Sequence, residues 1–253
     1  MERGFIRTFF RRPVDDVLAS LEHLVTARNP LTSLVPALIA MLVTWFAYVG
    51  VHELLHVAGC LATGGSVTTL EISPRYGGAL YAQVFPFVVT GGEYAGRLSG
   101  FDTRGSDWIY LATDFGPFML TVLFGVTLIK FCGRRRRPIL FGVAIVVGLA
   151  PFYNMQGDYF EMGSTIVTRL LTLVARGGDY PPMFEGIRSD DIFKLFETFF
   201  TKPAELGLTT AGRIAAAIPL ILASFVVDVL LAFATYWMGH QVSRLFVSPR
   251  PAK

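Results

Sequence analysis

The chain has 253 residues, 53% of them hydrophobic and only 16% charged, with a formal net charge of +3 and a mean hydropathy of +0.52. Soluble domains sit at roughly 45–50% apolar and about 25% charged, whereas here the apolar residues gather into runs of membrane-spanning length. An ordinary soluble domain is excluded, no basic face interleaved with aromatics points to nucleic acid, and the expectation is an integral, multi-pass protein in contact with the lipid bilayer.

The expected fold class is an all-α polytopic membrane protein. It has about four transmembrane helices, one of them broken by proline, and a small β-hairpin after the first. Residues 1–30 form an amphipathic N-terminal segment, with Val14, Val17, Leu18, Leu21, Leu24 and Val25 at helical spacing. A short helix lying on the membrane surface is expected there, with His23 as an ordinary surface histidine. The first long apolar run is no discarded leader, because it carries the most informative motif of the chain.

That run, from about Pro36 to Thr63, is roughly 40 Å long as a helix, which exceeds the ~30 Å hydrocarbon core. Gly64-Gly65 ends it. Residues 66–90 then read as the hairpin. Val67 to Ile72 and Ala79 to Phe85 are rich in strand formers, with Pro-Arg-Tyr-Gly-Gly between them. Val88 to Ser106 reads as glycine-rich loop.

Trp108 to Phe131 is the second expected span, with Gly116-Pro117 inside it and the Arg134–Arg137 cluster after it. Ile139 to Ala150 is too short to cross alone, and Pro151 breaks it ahead of Asn154, Gly157 and Asp158. An interruption at membrane depth needs protein or water around it, which makes this stretch a site candidate. The core so defined covers residues 31–176. Residues 177–210 are a loop and a short amphipathic helix through Phe200, capped by Ser189-Asp190-Asp191. Residues 211–253 are the last span and a basic tail. Basic clusters before the first span, after the second and beyond the last suit four crossings with those clusters in the cytoplasm. Cys60 and Cys132 fall in apolar segments and imply no disulfide framework.

The motif in the first span is His52-Glu53-Leu54-Leu55-His56. Histidines four apart project from one helix face one turn apart, a spacing that suits two nitrogen ligands of zinc. Glu53 beside them is placed as general base. Polar side chains are expensive in hydrocarbon without a purpose. A histidine pair satisfied by hydrogen bonds would leave Glu53 without an explanation. The third ligand is expected to be Asp158, turned inward where the helix breaks, with Glu161 and Cys60 as alternatives. Asn154 either orients substrate or forms the turn. Asp228 and Arg213 lie in the last span, where Asp228 makes either an interhelical hydrogen bond or a functional group. His240 sits at the span's polar margin.

These pieces resemble the site-2 protease family of intramembrane metalloproteases: a HExxH helix, β-structure, a Gly-Pro helix and a proline-interrupted helix bearing an aspartate. The resemblance covers roughly residues 36–165. It implies Zn2+, with His52, His56 and Asp158 as ligands and Glu53 as general base and acid. It also implies hydrolysis of a peptide bond in a transmembrane protein substrate. The family usually reads Leu-Asp-Gly where this chain has Gln156-Gly157-Asp158. The alternative reading is a non-proteolytic membrane protein that binds metal or transports ions.

Overall fold

The computed structural model describes residues 2–26, 30–92, 94–175, 182–188 and 191–246. The loop read at residues 177–181, the Ser189-Asp190 part of the expected cap and the basic end of the tail lie outside the described residues. The chain divides into two compact units, Met1–Pro151 with Phe233–Lys253, and Phe152–Ala232.

The first unit is built on α2, Leu31–Ala62. It starts five residues before the expected Pro36, directly after Pro30 at its N-cap, and Pro36 lies inside the helix as its sixth residue. Gly64, at φ 96°, stops it. α1 is also longer than expected, Glu2–Val25, and contains Pro13. It is fastened to the second span by Ser20, whose Oγ donates to the Ile129 carbonyl at 2.7 Å, while Val14, Leu18 and Val25 stay exposed.

Between α2 and the second span the structure corrects the expected hairpin. β1 is Ser66–Ile72, but the second run is not a strand: it is the helix α3, Gly78–Val84. Its apolar residues follow helical spacing rather than alternation. Tyr81, Ala82 and Phe85 pack against the cluster of Val57, Leu70, Ile72 and Val88, while Leu80 and Val84, four apart, are exposed. The strands that pair with β1 come from the stretch read as loop. β2, Val88–Thr90, runs parallel to β1, and β3, Gly96–Asp102, runs antiparallel to it. The order is β2-β1-β3. A connection through α3 permits the parallel pairing that a two-residue hairpin cannot make.

The second span is α4, Asp107–Phe115, a 3-10 turn at Gly116–Phe118, a π turn at Thr121–Gly125, and α5, Val126–Arg135. It approaches α2 at backbone distance. A Cβ on Gly59 would collide with the Ala112 carbonyl, and one on Gly116 would collide with the Leu55 carbonyl. α6, Pro138–Gly148, packs along α2 and is followed by α7, Ala150–Tyr153.

The second unit contains α8, Asp158–Ala175, α9, Pro182–Arg188, α10, Ile192–Thr201, and the start of α11, Ala211–Phe246. Phe160, Val167, Ile187, Leu195, Leu220 and Ile221 share its core. Three helical stretches are long and apolar enough to cross a membrane: Leu31–Ala62, Asp107–Cys132 and Ala211–Phe246. The proline-broken fourth is divided, and its first piece, Pro138–Gly148, is a shorter apolar helix.

Candidate metal centre

His52 and His56 both project from α2 into buried surroundings, each 7% exposed. Their Nε2 atoms approach to 3.2 Å, with the rings nearly perpendicular at 82°. The edge of Phe118 closes against His52 at a centroid distance of 5.7 Å.

The orientation of His56 is fixed from behind. Its Nδ1 lies 2.9 Å from the backbone carbonyl of Thr113. A carbonyl only accepts, so Nδ1 carries the hydrogen and Nε2 presents its lone pair toward His52. The local sequence makes that carbonyl available. In a regular helix the carbonyl of residue 113 takes the N–H of residue 117, and residue 117 is proline. Gly116 N–H reaches back to both Ala112 and Thr113 in the tightened turn, leaving acceptor capacity for the imidazole. Hydrogen bonds of this kind orient metal-ligating histidines and raise their basicity.

The break after α6 is organised in the same way. Pro151 has no N–H for the carbonyl of Val147, and the Thr121 hydroxyl donates to it at 2.6 Å. Thr121 sits at the start of the π turn and its own carbonyl accepts from Val126. The chain then turns through residues 154–157, where the Asn154 carbonyl accepts from Gly157 at 3.2 Å and Tyr159 at 3.3 Å. The Asn154 backbone therefore forms the turn. Asp158 is the first residue of α8.

One ligand atom each from His52, His56 and Asp158 lie within 4.8 Å of one another, a group that could hold a metal ion. Neither Glu161 nor Cys60 belongs to that group. The Cys60 thiol is fully buried and points to the Ser66 carbonyl at 3.8 Å, as expected of a small packed side chain. Two imidazoles and one carboxylate are a donor set found in catalytic zinc sites, which keep one position for water or substrate.

Glu53 is partly buried and sits under the first residue of β3. A Cβ on Gly96 would lie 2.7 Å from the Glu53 Cδ and 2.9 Å from its Oε1, so a side chain there would displace that carboxylate. No protein-family model, curated protein or solved structure matches this chain.

The remaining polar residues have other placements. Asp228 is fully buried in α11, and among the described residues neither of its carboxylate oxygens has a hydrogen-bond partner. Of its two expected roles, the interhelical hydrogen bond is not found among the described residues. Arg213 donates to the Gly207 carbonyl at 3.0 Å and ties down the start of α11. His240 lies 3.4 Å from Asp16 through Nδ1 and 3.5 Å from Lys130 through Nε2, linking α1, α5 and α11. His23 is a half-buried residue of α1. Thr113, Thr121 and Gly96 escape a reading by residue type. Thr113 was findable from Pro117, which points four residues back to its carbonyl; Pro151 points in the same way to Val147 and not to the Thr121 hydroxyl that donates to it.

Proposed function

We propose that this chain is a multi-pass intramembrane metalloprotease that hydrolyses a peptide bond of a membrane-spanning substrate. The observation that carries the reading is the grouping of His52, His56 and Asp158 beside Glu53, on a helix apolar enough to span a membrane. Zinc is the metal this donor set suits, with His52, His56 and Asp158 holding it. When bound, such an ion lowers the pKa of a coordinated water toward ~7 and polarises a substrate carbonyl.

The chain's own residues supply the rest. Thr113 holds His56 in the tautomer that offers Nε2. Glu53 takes a proton from water and returns it to the leaving amine, so one carboxylate serves as base and then as acid. Gly96 lets the backbone of β3 lie against that carboxylate and limits its rotamers. Phe118 and the apolar wall of α2 restrict water around the pair, which strengthens electrostatic interactions there.

The test uses purified full-length protein in vesicles with a transmembrane peptide as substrate. The wild type is expected to retain about one zinc per chain and to cleave the peptide. Glu53→Gln is expected to keep the zinc and lose cleavage. Cleavage by Glu53→Gln at the wild-type rate, or failure of the wild type to retain zinc, would overturn the proposal.

A transport reading draws on Asp228, buried in the last span. It predicts metal uptake into sealed vesicles that survives Glu53→Gln, with no peptide cut.

A further inference from the structure

α10 has three distinct sides. Leu195 is fully buried, and Ile192 and Phe199 pack with it on the core that includes Leu220 and Ile221 of α11. Phe193 is 70% exposed, Phe196 41% and Phe200 77%. With about 100° between successive residues, these three rings fall in one sector of roughly 60° beside the buried side. Lys194, Glu197, Thr198 and Thr201 occupy the remaining sector. Asp191 caps the helix, accepting from the N–H groups of Phe193 and Lys194 at 2.9 Å each.

A helix in water needs two sides, one for the core and one for solvent. The third side, with three exposed phenylalanines beside charged residues, calls for an apolar phase whose boundary runs along the helix axis. We propose that α10 lies in the interfacial layer of the bilayer, with Phe193, Phe196 and Phe200 among the acyl chains and Lys194 and Glu197 in the headgroup water.

Leu220 and Ile221, which share that core with Leu195, lie ~14 Å along α11 from Ala211. α11 would be ~54 Å long as a straight helix, so it overshoots the ~30 Å hydrocarbon core and leaves part of its length for the interfacial layers. α11 also exposes apolar side chains, with Leu222 60% and Val226 57% exposed. Burying three phenylalanines in lipid also anchors the segment ahead of the last span. This inference rests on the apolar helices and not on the protease reading.

The test places a nitroxide label at one position at a time in the full-length protein, through Phe193→Cys, Phe196→Cys, Phe200→Cys, Lys194→Cys and Glu197→Cys. Cys60 and Cys132, both fully buried, remain unlabelled. The protein is reconstituted in phosphatidylcholine–phosphatidylglycerol vesicles. Collision with oxygen, which concentrates in lipid, is compared with collision with a water-soluble nickel chelate. The three phenylalanine positions are expected to favour oxygen by several fold, and the other two to favour nickel. Equal access at all five positions would overturn the proposal by placing α10 in water. Exclusion of both reagents at the phenylalanine positions would also overturn it, by showing a protein partner or second copy on that face.

Discussion

His56 and Thr113 are joined by a 2.9 Å hydrogen bond from imidazole Nδ1 to a backbone carbonyl, and Pro117, by lacking an N–H, releases that carbonyl. Replacing the proline therefore tests the orientation of a proposed ligand without touching it. Pro117→Ala restores an N–H that competes for Thr113. Loss of such outer contacts typically weakens metal affinity about 10- to 100-fold. Competition with a chromogenic chelator should show a fall of that size while thermal stability holds or rises, since alanine suits a helix better. Affinity within twofold of wild type would show that the proline has no part in orienting the imidazole.

The partnership of Thr121 with Val147 makes a second prediction, independent of metal. Thr121→Val leaves a carbonyl at the α6 break without its donor, at a cost of about 1–3 kcal/mol. Thr121→Ser should keep most of the stability. In a Pro151→Ala background the new N–H reaches Val147, so Thr121→Val should cost little there. Denaturation in micelles across this double-mutant cycle measures the coupling. Strict additivity would mean that the hydroxyl does not compensate for the proline.

Gly96 sits where any Cβ would press on the Glu53 carboxyl. Gly96→Ala is expected to lower kcat by about 10- to 100-fold through displacement of the base, with zinc content and KM near wild type. A matched loss of zinc would instead mean that the sheet had shifted as a whole. A Gly96→Ala protein as active as wild type would remove β3 from any role in positioning the base.

These residues also mark how far the sequence could be read. The His52–His56 spacing is a local property of one helix, and the span that carries it was legible from hydropathy alone. Pro151 flagged the break before Asp158 because a missing N–H is visible in one letter. The strands were harder. Gly78–Val84 holds β-formers such as Tyr and Val, yet it folds as a helix. Tyr81 and Phe85 find the cluster around Leu70 and Ile72 at helical spacing, and tertiary packing overrides propensity. β3 was illegible for the opposite reason. Gly96-Arg97-Leu98-Ser99-Gly100 reads as loop, but Gly96 faces Glu53 and a Cβ on Gly100 would collide with Thr68. Its glycines record close approaches to residues distant in sequence. The early start of α2 escaped the reading because Pro36, which lies inside the helix, reads as its start.

The last prediction separates metal binding from catalysis through stability. A ligand that binds only the folded chain stabilises it by RT ln(1 + [L]/Kd), about 2.7 kcal/mol at a free concentration 100 times Kd. Stripping the wild type with a chelator should therefore lower its melting temperature, and zinc should restore it. His52→Ala and Asp158→Asn each remove one donor of the proposed set, so both should melt at one temperature with or without zinc. Glu53→Gln, which leaves all three donors, should respond to zinc as the wild type does. A zinc response that persists in Asp158→Asn would place the third donor elsewhere, with Glu161 the first residue to replace next. A response lost in Glu53→Gln would make that carboxylate a ligand and remove it as the base.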